Sequence, residues 1–431
     1  MGWESNQGGE VVIVGAGLAG LSCAAQLEKL KINYTIVEAG TRIGGRATSE
    51  NVDGYTVDVG FQVYAESYPE GRRLLDYNHL EFQSFYSGIY VQNGPDRADR
   101  KLISDPRRYP DAISELIRQR LITTSDLWTL LSVGSKLIYP SGRRRVKEER
   151  LADLLGAVED TTFAGDVLVP FLQAVFLEDV LDTKLDTALF VLKSFLTGNV
   201  SVPLRGMSAI SEQISRRLSG EIRLNSRVLS ISEKKVTLED GTSISADAVV
   251  VATDASSANS LLGWPPCQPG RSVGYFYFKA DERPLDHAAV FTPGTRFGPI
   301  LTVATISDVA PSYSPNNSHL ISVSCTANSA DNLHHLPTEA VYRELLELFG
   351  PSVAEWEEVA AGVIPNALPT EFGPRLLATP DPKLGASIFV CGDYTDTPSI
   401  NGALYSGRRA AVAAADLLLS GKRHFEPLVG G

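Results

Sequence analysis

The spacing of apolar positions changes along the chain, and each change marks an element. Val11, Val12, Ile13 and Val14 form an unbroken apolar run closed by Gly15, the pattern of a strand buried on both faces of a parallel sheet. Leu18, Leu21, Ala25 and Leu30 then recur at helical spacing, and a second apolar strand at 34–37 ends in Glu38. Residues 57–64 continue the apolar pattern. From about Asp105 the period becomes helical, through Ile113, Leu116, Ile117 and Leu121, then Leu127, Leu130 and Leu131, and again between 151 and 196, which predicts a helix-rich insertion. Residues 203–207, Pro-Leu-Arg-Gly-Met, close it. The stretch 222–253 turns to strands, with a hairpin signal at Asp240-Gly241 and a buried run at 249–253.

In the second half, Val273, Tyr275 and Tyr277 alternate with Gly274, Phe276 and Phe278, predicting a strand aromatic on both faces and suited to the floor of an apolar pocket. A strand at 320–324, an acidic helix at 338–349, an apolar run from 388 ending in Gly392-Asp393, and an alanine-rich helix through Leu419 complete the chain. No period of the solenoid kind is present.

A chain of 431 residues has material for two or three domains and a large core. With 43% hydrophobic and 21% charged residues, it has the composition of a soluble globular protein. Its 39 basic against 51 acidic residues give a net charge of −12, which opposes nucleic-acid binding. Cys23, Cys267, Cys325 and Cys391 are far apart, and the six histidines have no ligating spacing, so neither a disulfide framework nor a metal site is expected. No stretch reaches the roughly 18 apolar residues of a spanning helix. The expected location is intracellular, soluble or at a membrane surface, in a bacterial cytoplasm or plastid stroma. Arg143, Arg144, Arg145 and Lys147, near the apolar stretch 127–138 with Trp128, read either as a membrane-facing edge or, given Glu148 and Glu149, as a solvated helix face.

The chemistry begins at Gly15-Ala16-Gly17-Leu18-Ala19-Gly20, a GxGxxG between a strand and a helix. Gly15 permits the tight turn, Gly17 lets a pyrophosphate approach the backbone, and Gly20 lets helix and strand pack closely. Glu38 stands where an acidic residue accepts hydrogen bonds from ribose hydroxyls. Arg42-Ile43-Gly44-Gly45-Arg46 follows at once, offering backbone amides and guanidinium groups to an anion. In this order the three features resemble the start of the amine oxidase and phytoene desaturase superfamily, and they point to FAD.

The resemblance implies an α/β fold: a Rossmann-like FAD domain with a parallel sheet assembled from residues 1–76, 205–265 and 384–431, and a mixed α+β substrate domain with a helical insertion from 77–204 and 266–383. It implies noncovalent FAD held by Gly15, Gly17, Ala19, Gly20, Glu38, Arg42, Gly45 and Arg46, with Gly60 and Phe61 beneath the ring and Val228 at the adenine. Gly392 and Asp393 would meet the ribityl and pyrophosphate region, and Ile400 and Ala403 would begin a helix aimed at the flavin pyrimidine. A helix amino end there stabilises the negative charge of a reduced flavin.

Two departures separate the chain from the amine oxidases. The aromatic residue that precedes their final helix corresponds to Ser399, and their lysine near the flavin corresponds to Val273 within a residue or so. Gly392-Asp393-Tyr394-Thr395, the segment 399–403 and the segment 203–207 resemble the phytoene desaturase branch more closely. The expected function is FAD-dependent oxidation, desaturation or isomerisation of an apolar isoprenoid or carotenoid substrate. The expected electron acceptor is a quinone or oxygen, since no second GxG suggests an NAD(P)H domain. The alternatives are an amine or amino-acid oxidase releasing hydrogen peroxide, and a flavin-holding protein that binds a lipid or partner without turnover. Tyr64, Tyr275, Tyr277 and Ser399 are the expected pocket residues. Candidate bases by motif position are Tyr64, Tyr394, Asp393 and Glu66, with Tyr64 first among them, and the simpler reading of both tyrosines is aromatic wall of the pocket.

Overall fold

The computed structural model describes residues 10–94, 96–118, 150–155, 163–232, 234–264, 269–294, 298–327, 336–370 and 387–423. The unbroken apolar runs form the middle of a five-stranded parallel sheet. Glu10–Val14 lies between Asn33–Val37 and Ala248–Val251, with Glu221–Arg223 and Ile388–Val390 at the edges. Every residue of Ala248–Val251 is buried, as a strand covered on both faces requires.

One face of this sheet carries helix Leu18–Leu30 against the final helix Ile400–Arg423, around Val11, Ile13, Leu21, Leu27, Ala411 and Ala414. The two helices approach so closely that a Cβ on Gly407 would stand 2.0 Å from the carbonyl oxygen of Ala19, and Ser22 Oγ donates to Leu404 O at 2.7 Å. The alanines of the final helix supply that small surface. The opposite face packs Val12, Val14 and Val251 against helix Ala255–Leu262 and the meander Val228–Ser232, Lys235–Leu238 and Ser243–Ser245, whose second hairpin turns at Asp240-Gly241.

A seven-stranded mixed sheet forms the second body of structure, in the order Glu357–Leu368, Arg271–Ala280, His319–Thr326, Ile300–Thr305, Val290–Pro293, Gly88–Gln92 and Arg100–Ser104. Phe276 and Phe278 face the amphipathic helix Thr338–Phe349 and pack with Leu345, Leu348 and Trp356. Tyr275 and Tyr277 point to the other face, among Tyr55, Val57, Phe85 and Tyr313. The aromatic alternation therefore builds a sheet with two buried faces.

Residues 57–64 do not form one strand. Tyr55–Asp58 ends, Gly60 turns at φ +83°, and only Tyr64–Ala65 resumes pairing. A side chain at Gly60 would also meet Ile364 Cδ1 at 2.3 Å. The insertion contains helices Ala112–Arg118, Leu151–Leu155, Val169–Phe176 and Leu185–Thr197. Leu116 is buried, whereas Ile113 and Ile117 are exposed. Leu121, Leu127, Leu130, Leu131, the basic edge at 143–147 and Cys267 lie outside the described residues. Among the described residues no helix is long and apolar enough to cross a membrane, and no His, Cys, Asp and Glu cluster could hold a metal.

The segment 203–207 docks the two bodies. Asp58, 1% exposed, accepts hydrogen bonds from Met207 N at 2.9 Å, Ser49 Oγ at 2.5 Å and Tyr313 Oη at 3.0 Å. Burial pushes its carboxyl up to about 6 against the pull of these three donors.

Candidate active site

A cavity of about 1530 Å³ runs along the carboxyl ends of the parallel strands and on under the seven-stranded sheet. That exceeds the roughly 300–1,000 Å³ of a single ligand pocket, so it has room for a large cofactor and a second molecule. It starts at the glycine turn. Gly15 holds φ +108° and a Cβ there would stand 2.8 Å from Ala252 O, and a Cβ on Gly20 would stand 2.0 Å from Gly15 O. A Cβ on Gly17, by contrast, would meet nothing within 4 Å. The first and third glycines thus serve chain packing, and the second faces open cavity. No side chain caps the helix that follows, so its first N–H groups are left for an anion.

Glu38 ends its strand beside this turn. One carboxylate oxygen accepts Ala16 N at 2.7 Å and the other accepts Gly40 N at 2.7 Å. A carboxylate has about four lone-pair sites, so acceptor capacity remains for hydroxyl groups. Gly17, Ala19, Gly45, Arg46 and Val228 also line the cavity. Arg46 donates to Asp393 Oδ1 at 2.7 Å and to the carbonyls of Asn366 and Ala367 at 3.3 and 2.8 Å. Burial works to lower the Arg46 guanidinium, but the adjacent Asp393 raises it overall, so it stays charged. Uncapped amides, a spare acceptor and a held cation in one trough fit the pyrophosphate and ribose of FAD.

The other end of the trough is formed by Gly60, Phe61, Gly392, Asp393, Ile400 and Ala403. Ser399 also lines it, and its Oγ accepts Gly402 N at 3.0 Å, capping the final helix. Beyond these residues the cavity becomes an apolar arm walled by Phe171, Val175, Val191, Leu192, Phe195, Val200 and Val273.

Several expected site residues lie elsewhere. Arg42 pairs with Glu50 at 2.6 Å on the outside of its loop, with nearly half of its side chain exposed. Tyr64 is fully buried: its ring stacks on Phe82 at 4.7 Å, and its hydroxyl meets Tyr77 Oη at 3.0 Å. Burial, first, and Tyr77 raise its phenol far above the ordinary value, which unsuits it as a base. Tyr275 and Tyr277 stay within the sheet's packed face, and only Val273 of that strand reaches the cavity. Tyr394 lies among the valines under the parallel sheet, its buried hydroxyl without a hydrogen-bond partner. Glu66 holds Ser201 and Ser84 and does not line the cavity.

Sequence reasoning missed Gln62, Asp254, Thr302, Ser324 and Asn366, all of which line the cavity. Gln62 Nε2 donates to Arg46 O at 2.6 Å, and Thr302 Oγ1 bonds Ser324 Oγ at 2.5 Å across neighbouring strands. No local motif marks them: strand pairing brings Thr302, Ser324 and Asn366 to the site, Gln62 follows the Gly60 turn, and Asp254 caps helix Ala255–Leu262.

A family model described as flavin containing amine oxidoreductase matches residues 18–415. The chain is 23% identical over 299 residues to coproporphyrinogen III oxidase of Bacillus subtilis, covering 59% of this chain and 62% of that protein. It is 26% identical over 283 residues to the chloroplastic/chromoplastic 15-cis-phytoene desaturase of an Oncidium hybrid cultivar, covering 59% and 48%. The matched stretches thus span less than two thirds of these curated relatives. Among solved structures, an oxidoreductase from Methanosarcina mazei superposes with a TM-score of 0.71 at 18% identity, covering 92% of this chain and 98% of that one. Putrescine oxidase bound to putrescine superposes with a TM-score of 0.62 at 15% identity, covering 94% and 98%. At these identities the structures report the shared fold.

Proposed function

The chain belongs to the flavin containing amine oxidoreductase family, and from that premise we propose that it is an FAD-dependent oxidoreductase of an elongated apolar substrate, of the isoprenoid or carotenoid kind. FAD, when bound, supplies a two-electron acceptor at one end of the trough. In this reading the glycine turn and Arg46 hold the pyrophosphate, Glu38 the ribose, and Val228 the adenine. The amino end of the helix Ile400–Arg423, held by the Ser399 cap, faces the negative charge of the reduced ring. The apolar arm positions the substrate and excludes water.

The observation that carries the substrate class is the state of the carboxylates. Four described cavity residues are acidic, and each is engaged: Glu38 by two amides, Asp393 by Arg46, Asp105 by Arg107, and Asp254 by the amides of Ser256 and Ser257. None of the four is among the residues that wall the arm, and Asp105 and Asp393 are already paired with Arg107 and Arg46, so a protonated amine in the arm would find no counter-charge on its walls, whereas a hydrocarbon needs none. The kinship with 15-cis-phytoene desaturase supports the same reading.

Titrating the FAD-loaded protein with a carotenoid hydrocarbon in detergent, followed by the flavin spectrum, tests it. The reading predicts saturable binding that Phe171→Asp abolishes while flavin content is unchanged. Saturable binding of amines but not of the hydrocarbon would overturn it in favour of an amine oxidase.

A further inference from the structure

The apolar arm opens at a rim that carries charge. Ser87, Ser104, Asp105, Arg107 and Arg108 line the cavity there, where the end of strand Arg100–Ser104 meets the end of helix Leu185–Thr197. Asp105 is fully committed to one arginine: Oδ1 accepts Arg107 N and Nε, both at 2.9 Å, and Oδ2 accepts Arg107 Nη2 at 2.5 Å. Arg107 also donates to Leu196 O. Burial alone would raise the Asp105 carboxyl, but the bonds from Arg107, with the charge of Arg108 nearby, hold it below its ordinary value.

Arg107 therefore takes the one carboxylate among the described rim residues, and Arg108 is left over. Its Nη2 donates at 2.6 Å to Asn199 Oδ1, a neutral acceptor that orients the group without cancelling its charge. The other lining arginines differ, since Arg46 faces Asp393, Arg107 faces Asp105, and Arg227 lies 3.8 Å from Glu239. Among the described residues Arg108 is thus a cavity cation without a carboxylate partner. An oriented guanidinium with free donors recognises a carboxylate or phosphate.

We propose that the substrate is an amphiphile whose anionic end binds Arg108 at the rim while its apolar body lies in the arm. This rests on the apolar reading of the arm and adds to it a direction of entry, with the hydrocarbon inside and the anion at the mouth. The unpaired cation is held at the entrance, where an anion stays partly solvated and avoids the desolvation cost of the interior.

The test compares oleate with oleyl alcohol, which share a chain and differ in charge, each below its micelle concentration and titrated into the FAD-loaded protein. The proposal predicts that oleate binds at least about tenfold tighter, that Arg108→Gln removes this difference, and that oleyl alcohol affinity is unchanged in the variant. High salt should narrow the gap in the wild type. Equal binding of both probes overturns the anion site and leaves the apolar arm standing. Binding of neither overturns both. Sedimentation with phosphatidylglycerol vesicles but not phosphatidylcholine vesicles, without saturable oleate binding, overturns it by assigning the charge to a bilayer headgroup outside the cavity.

Discussion

Arg46 lies 2.7 Å from Asp393, a residue 347 positions away, and its second amino group holds the carbonyls of Asn366 and Ala367. One side chain thus joins the glycine-rich loop, the end of the longest strand of the mixed sheet and the entry to the final helix, all at the cavity wall. The Arg46 side chain is about a third exposed and Asp393 is 8% exposed, so solvent screens the pair in part. A double-mutant cycle with Arg46→Met and Asp393→Asn, read by FAD dissociation constants, should give a coupling of about 1 kcal/mol. Additive effects would mean that the two groups act on FAD separately.

The three glycines of the turn make separable predictions. Gly17→Val places a side chain in open cavity, so the apoprotein should melt as the wild type does while FAD affinity falls tenfold or more, about 1.4 kcal/mol. Gly20→Val drives atoms into Gly15 O and should lower the melting temperature of the apoprotein itself. Calorimetry of both apo forms, paired with flavin titration, distinguishes the two.

Removing the Tyr64 hydroxyl should leave catalysis alone. Its partner is Tyr77 Oη, away from the cavity, so Tyr64→Phe should retain wild-type kcat and its pH profile and lose about 1 kcal/mol of stability. A kcat loss of a hundredfold would return Tyr64 to the list of proton carriers.

Asp58 makes stability depend on pH with a defined sign. Its folded pKa of about 6 stands above the ordinary value near 3.9, so folding takes up a proton between them. The stabilising contribution is complete below about pH 4 and is lost as the pH rises through about 6, a change of roughly 3 kcal/mol. Denaturation of wild type and Asp58→Asn across that window should show the wild type losing ground to the variant with rising pH. Parallel profiles would contradict the assignment.

What the sequence revealed follows from where each signal resides. Val11–Val14, the glycine turn and Glu38 are contiguous, and their chemistry depends on neighbours in the chain, so the cofactor end was legible. Helix Thr338–Phe349 was legible because its apolar face repeats at the helical period. Tyr64 and Tyr277 misled because an aromatic strand residue reads the same whether it faces a ligand or another sheet, and here packing took both. Strand Glu357–Leu368, which brings Ile364, Asn366 and Ala367 to the cavity, carries no strong alternation; its burial is mostly intermediate and only its pairing with Arg271–Ala280 defines it. Ser399 was noticed for the aromatic it lacks, whereas its hydroxyl caps the final helix.

The most direct measurement is the visible absorbance of the bound flavin during anaerobic titration with two panels, carotenoid and isoprenoid intermediates in detergent, and amines. Bleaching is expected from a member of the first panel and from none of the second, because the walls of the apolar arm offer a hydrocarbon its surface and offer an ammonium group no carboxylate among the described residues. Bleaching by an amine, with the flavin untouched by every isoprenoid, would contradict it.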